Sequence, residues 1–270
     1  MIQEWAVINA VYRRCAAGAA ALALVLGATG CGAAGSPAAH APAGRSGEQA
    51  DAARASGPKT PTARVPVLAQ DRLEEAVLDE RDLPGVSVNT IGTGTDGVGD
   101  GVVQPIPDRA AQPSACGPVN SALDGSSRFT PVASVKRMAQ SKGSLATFYL
   151  VSYQQEDAVR VVDELRTALR TCKAFTSSTS YADREKILPI DDPDTGDEGV
   201  SFRLTDLLNS PGWDESIPVP ESVVVIRSGS TVAIFSAMET APRTNTYPKV
   251  PADIVTAQLK VLSTGAHATR

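Results

Sequence analysis

Histidine is almost missing from this chain: of 270 residues only His40 and His267 are imidazoles, and both lie outside the stretch able to fold. Ser-His-Asp and Cys-His hydrolases need an imidazole base, and the usual zinc hydrolases need imidazole ligands, so the sequence argues against both. No enzyme, cofactor or metal ion is expected. Aromatic residues make up 4% of the chain. A core must therefore be built mainly from Val, Leu, Ile and Ala, with Phe129, Phe148, Phe175, Phe202 and Phe235 as the larger fillers. The net charge is −5 and the Lys and Arg residues are dispersed. With no basic stripe for phosphates, nucleic acid is not an expected partner. No apolar run is long enough for a comfortable membrane span. The longest, between Arg14 and Cys31, gives about 15 residues, or roughly 22 Å of helix against a hydrocarbon core of about 30 Å.

That run has a different use. The basic pair Arg13 and Arg14, an Ala- and Leu-rich stretch and the small residues Gly27 to Gly30 form the three parts of a secretory signal. Glu4, Trp5 and Asn9 add no basic charge ahead of the pair, which points to a translation start near Val11. The "ATGC" of Ala28 to Cys31 resembles the lipobox of bacterial lipoproteins, although Leu is commoner where Ala28 stands. The resemblance implies cleavage before Cys31 and diacylglycerol on its thiol, whose two acyl chains, such as palmitate, give stable anchoring where one would not. The expected location is the outer face of the cell membrane, with the N-terminal lipid as the membrane contact. Residues 1–30 are then the signal peptide. Residues 31–66, the lipidated Cys and a segment of Ala, Gly, Pro, Ser and Thr, read as a disordered tether with a reach of about 30 to 35 Å.

Residues 67–265 have the composition of a globular domain and are numerous enough for one sizeable core; residues 266–270 are a tail. Of four cysteines, Cys15 leaves with the signal and Cys31 takes the lipid. Cys116 and Cys172 remain, an even pair in an oxidising compartment, and are expected to form a disulfide.

Periodicity gives mixed elements. "AQDRLEEAVLDERDLPG" reads as a helix stopped at Pro84 and Gly85, with Leu73, Val77 and Leu78 on one side. Strands follow near Val86 to Ile91, Val132 to Met138 and Leu145 to Tyr153, the last apolar on both faces and so central. "EDAVRVVDELRTALRTC" is an amphipathic helix with acids at its start and Arg166 and Arg170 at its end, matching the dipole. "ILPIDDPDTGDEGVSFRL" is strand, acidic loop and strand; "ESVVVIRSGSTVAIFSAME" is a hairpin. Helix "PADIVTAQLKVLSTG" closes the order, which defines an α+β domain with helices packed on a largely antiparallel sheet.

The starting helix ended by "DLPG", the Cys before a strand pair, the helix carrying the second Cys, the "GDEGVSFR" strand opening and the "VVVIRSGSTVAIFS" hairpin together resemble the PknH-like extracellular sensor domain of bacterial kinases and free lipoproteins. The likeness runs over about Val67 to Leu262. It implies ligand sensing in the envelope through a cleft between helices and sheet, without catalytic residues. Kinase-borne members carry a second disulfide that this sequence lacks. The expected function is a membrane-anchored ligand-binding or sensing module, with a small envelope molecule or a protein as partner. A lipid or glycolipid carrier is the alternative, and a carboxylate-dependent glycan hydrolase a more remote one. Candidate ligand contacts are Trp213, in a Pro- and Gly-bounded loop, and Tyr153 and Tyr181, read as strand residues with surface hydroxyls. The acidic run from Asp191 to Glu198 offers oxygen ligands for calcium, but its spacing fails the EF-hand pattern and a solvated turn fits better.

Overall fold

The computed structural model describes residues 66–93, 103–141, 144–178, 182–209, 215–239 and 246–265. All of them fall in the unit Pro58–Arg270. The signal, Cys31, the tether, Tyr181, Trp213 and the tail lie outside the described residues.

Alternating and doubly apolar strands assemble into a seven-stranded sheet in the order β1-β3-β4-β9-β8-β7-β6. These strands are β1 (Ser87–Thr93), β3 (Ala133–Ser141), β4 (Ser144–Ser152), β6 (Ala182–Ile190), β7 (Glu198–Leu208), β8 (Ile217–Ser228) and β9 (Thr231–Glu239). Every neighbouring pair is antiparallel. β4 is interior, as its two apolar faces require. β2 (Ala111–Gln112) and β5 (Thr176–Ser177) pair separately. The four helices are α1 (Gln70–Glu75), α2 (Gly117–Leu123), α3 (Gln155–Thr171) and α4 (Ala252–Gly265).

The core has two layers, one on each face of the sheet, where the sequence predicts one core. On the first face α2 and α3 cover Val151, Phe202, Val223, Val225 and Ile234. α3 turns Ala158, Val162, Leu165 and Leu169 inward, and each large apolar side chain so buried contributes about 1.5 to 3 kcal/mol. On the second face α1 and α4 cover Val135, Phe148, Leu150, Ile226 and Phe235. Phe148 and Phe235 are opposite each other in the β4/β9 ladder, with ring centroids 6.0 Å apart. This is a helix–sheet–helix sandwich, which is why several strands are apolar on both sides.

One helix is shorter than expected. The first stops at Glu75 instead of running on to Pro84. Past that point the side chain of Gln258 on α4 takes over the backbone: Leu78 N donates to its Oε1 at 3.0 Å, and its Nε2 donates to Ala76 O at 2.7 Å. Leu73, Val77 and Leu78 remain buried, so the tertiary bonds replace the helical ladder without losing the apolar contacts. The Cys116–Cys172 disulfide forms as expected, with Cα atoms 5.2 Å apart. It joins the start of α2 to the end of α3.

Two glycines are required by geometry. Gly125, after α2, has φ 65°, and a Cβ there would lie 2.0 Å from the Tyr149 ring. A Cβ on Gly117 would lie 2.5 Å from the Cα of Asp108, so this glycine lets the segment carrying Asp108 rest directly on the start of α2.

Candidate functional site

A cleft of ≈ 400 Å³ lies between α2 and α3 on the first face of the sheet. Ser114 and Pro118 line one wall, Asp163, Glu164 and Thr167 the other, and Asp108 and Arg128 complete the lining. Each part is there for a local reason. α3 presents Asp163, Glu164 and Thr167 because its opposite face is in the core, and Gly117 lets Asp108 approach. Arg128 is held by Glu164 through a fork, with Nε to Oε2 at 2.7 Å and Nη2 to Oε1 at 2.5 Å. That carboxylate raises the Arg128 guanidinium above its ordinary range and keeps it cationic. The Phe129 ring sits under two guanidinium groups, Arg128 at 4.8 Å and Arg160 at 4.4 Å, a geometry in which each cation meets the negative face of the ring.

Asp108 is pushed above the usual carboxylate range by burial; Arg128 pulls it back and Glu164 adds to the rise. Behind these polar groups a void of ≈ 10 Å³ reaches down to Val161, Leu165, Val225 and Ile234, room for about one water molecule. The disulfide borders the mouth, since Ala115 and Thr171, neighbours of Cys116 and Cys172, also line the cleft. The arrangement offers both hydrogen-bond donors and acceptors on a crosslinked frame. It can hold a small polar molecule.

A second polar cluster crosses four neighbouring strands on the same face: Arg184 on β6, Asp206 on β7, Glu221 on β8 and Ser236 on β9. Arg184 Nε donates to Asp206 Oδ1 at 3.0 Å, and both residues are buried. Glu221 is 5% exposed. Burial, and then the Asp206 carboxylate, push its carboxyl up to about 8, against the Ser236 hydroxyl bonded to it. Asp206 is raised by burial, with Arg184 opposing. Burial and mutual repulsion thus act together on the pair, each disfavouring a second negative charge. Both carboxyls are buried between the sheet and its covering layer, Asp206 7% and Glu221 5% exposed.

Of the residues singled out from sequence, Tyr153 follows β4 and is 0% exposed. Its hydroxyl is in the interior and not at the surface, because Tyr153 joins the layer under α3. Burial raises its phenol. The acidic loop is pinned and not merely solvated at its end. Asp197 accepts from Arg227 Nη1 at 2.9 Å and from Gly229 N at 2.7 Å, and Glu198 accepts from Arg227 Nε at 2.5 Å. These two carboxylates are turned to the β8–β9 turn, and among the described residues no group of three or more His, Cys, Asp or Glu side chains converges as a metal site. Asp108, Arg128 and Glu164 were not legible, since they come from three distant segments. Glu221 was legible in principle: an acid opening the apolar run "ESVVVI" breaks the pattern of its strand.

No family model matches the chain, and no curated protein matches it. Among solved structures it is similar to the extracellular domain of PknH from Mycobacterium tuberculosis, with a TM-score of 0.46 and 9% identity over 75% of this chain and 99% of that one. It is also similar to an uncharacterized protein of Mycobacterium smegmatis, an Rv0999 ortholog, with a TM-score of 0.35 and 15% identity over 68% of this chain and 89% of that one. These likenesses concern the path of the backbone. Among the described residues no helix is long and apolar enough to cross a membrane.

Proposed function

We propose that this protein is a lipid-tethered, extracytoplasmic binding module whose α2–α3 cleft takes a small polar molecule of the cell envelope. The observation that carries the reading is the cleft itself: ≈ 400 Å³, lined by charged and hydroxyl side chains and bordered by the disulfide. A crosslinked frame suits recognition, because walls ordered before binding cost little to order on binding. The disulfide also agrees with an oxidising compartment. The "ATGC" stretch supports the tether.

The anchor has a direct test. The Cys31→Ala variant, expressed in the native host, is expected to leave the membrane fraction and appear in the soluble envelope fraction or medium, while the wild type sediments with membranes. Equal sedimentation of the two would overturn lipid anchoring. A bulky Thr167→Trp substitution is expected to block the cleft without touching the core, since Thr167 is exposed on α3.

A further inference from the structure

The second face of the sheet carries polar groups that the cleft does not use. In β7 the alternation sends Phe202 and Leu204 to the layer under α3, so Ser201, Arg203 and Thr205 point to the opposite face. In β8 Val223 and Val225 belong to the first face, and Ser222 to the second. Arg203 and Ser222 are directly opposite in the ladder, the closest relation two strand residues can have. Both carry a buried atom with no hydrogen-bond partner: Nε of Arg203 and Oγ of Ser222. Ser222 as a whole is 3% exposed. Buried polar atoms are nearly always paired, and two orphans side by side ask for a common partner.

The missing partner has a definite charge. Arg203 is half-buried and enters no ion pair among the described residues; its guanidinium carbon lies 5.7 Å from the centre of the Tyr247 ring. Tyr247 is held in place by a hydrogen bond of 3.1 Å between its hydroxyl and Thr205 Oγ1. Beside them β6 has an irregular register between Glu185 and Leu188, and Lys186 there takes φ 53°. Lys186 is near enough to Tyr247 to interact with it electrostatically, while its ammonium pairs with Glu185 at 3.0 Å. The surroundings, among the described residues, are thus a guanidinium without a carboxylate, a hydroxyl without a hydrogen-bond partner, a phenol and, nearby, the Lys186 ammonium with its Glu185 partner. A guanidinium edge and a hydroxyl, both donors, fit the oxygens of an anion.

We infer that Arg203 and Ser222, with Tyr247 as one wall, form an oxyanion site for a small molecule bearing a carboxylate or phosphate, on the face of the sheet opposite the α2–α3 cleft. The site is separate from the proposed cleft and does not depend on it.

The test uses the full-length protein and the Nε–Hε resonance of Arg203, assigned by its loss in Arg203→Lys. Inorganic phosphate and sodium acetate are titrated separately at constant ionic strength, with sodium chloride as the control. A saturable shift of this resonance with phosphate or acetate, absent with chloride, is the expected result. Phosphate alone marks a phosphate ester, acetate alone a carboxylate, and either supports the site. Loss of a charge-assisted hydrogen bond weakens binding by about tenfold or more, so Arg203→Gln, followed through the backbone amide of Ser222 because the variant has no guanidinium resonance, should lower the affinity by about that factor and Ser222→Ala by a smaller one. Ser222→Ala removes one atom and keeps the test usable if Arg203→Gln does not fold. A shift that never saturates, or an affinity unchanged in Ser222→Ala and in Arg203→Gln, would mean adventitious binding and overturn the inference.

Discussion

Removal of the Cys116–Cys172 disulfide by the double substitution Cys116→Ala and Cys172→Ala is expected to lower the unfolding free energy by about 4 kcal/mol, an upper figure. The sequence separation of 56 sets this size: an uncrosslinked unfolded chain regains the entropy of a long open loop, and residual structure in that chain reduces the gain. The loss is not spread evenly. The bond fastens the start of α2 to the end of α3, so the cleft between them loses its clamp first, and amide exchange should rise in α2 before it rises in β4 or β9. Urea unfolding of the oxidised wild type beside the double variant measures the total. A loss below about 1 kcal/mol would show that packing alone holds the two helices together.

Glu221→Gln is expected to stabilise the protein at neutral and alkaline pH and to flatten its stability against pH. The folded carboxyl is raised to about 8, whereas in the unfolded chain it titrates in the ordinary Glu range near 4.3. Between these values the folded state holds a proton that the unfolded state has released. Stability is therefore fully present below the ordinary Glu range and falls as pH rises, by at most about 1.4 kcal/mol per pH unit, until the folded carboxyl ionises. Above that point an anion is buried beside Asp206, which already engages Arg184. Glutamine keeps the shape and a donor without the charge. Wild type and variant should be about equally stable near pH 4 and diverge towards pH 8, read as midpoints of urea unfolding. Parallel curves over that range would place the proton elsewhere.

Much of the architecture could be read from the chain because it rests on periodicity. "EDAVRVVDELRTALRTC" repeats apolar residues at helical spacing, and the structure places its helix at Gln155–Thr171. The hairpin around Gly229 and Ser230 and the cysteine pair were equally plain. What escaped reading has a common cause. α2, "GPVNSAL", is short, and its buried residues include Asn120 and Ser121, so it shows no apolar stripe. The two-layered core was half-declared by strands such as "LATFYLVS", but only the topology shows that helices cover both faces. The first helix ended early because of Gln258, a residue 180 positions beyond Leu78. The site suffered most. A single tyrosine at the end of a strand carries no partner information, so Tyr153 reads from the sequence as a strand residue with its hydroxyl at the surface, whereas the structure buries it. The cleft joins Asp108, Arg128 and Glu164, and the opposite face joins Arg203 to Ser222 and Tyr247, through contacts that no local pattern encodes.

Binding of a small envelope molecule in the α2–α3 cleft is open to a direct measurement. Native mass spectrometry of the full-length protein purified from its own host's envelope, set against the denatured chain and against Thr167→Trp handled identically, tests it most directly. A discrete extra mass on the wild type, lost on denaturation and missing from Thr167→Trp, is the expected result. A wild type with no extra mass, or the same mass retained by Thr167→Trp, would contradict it.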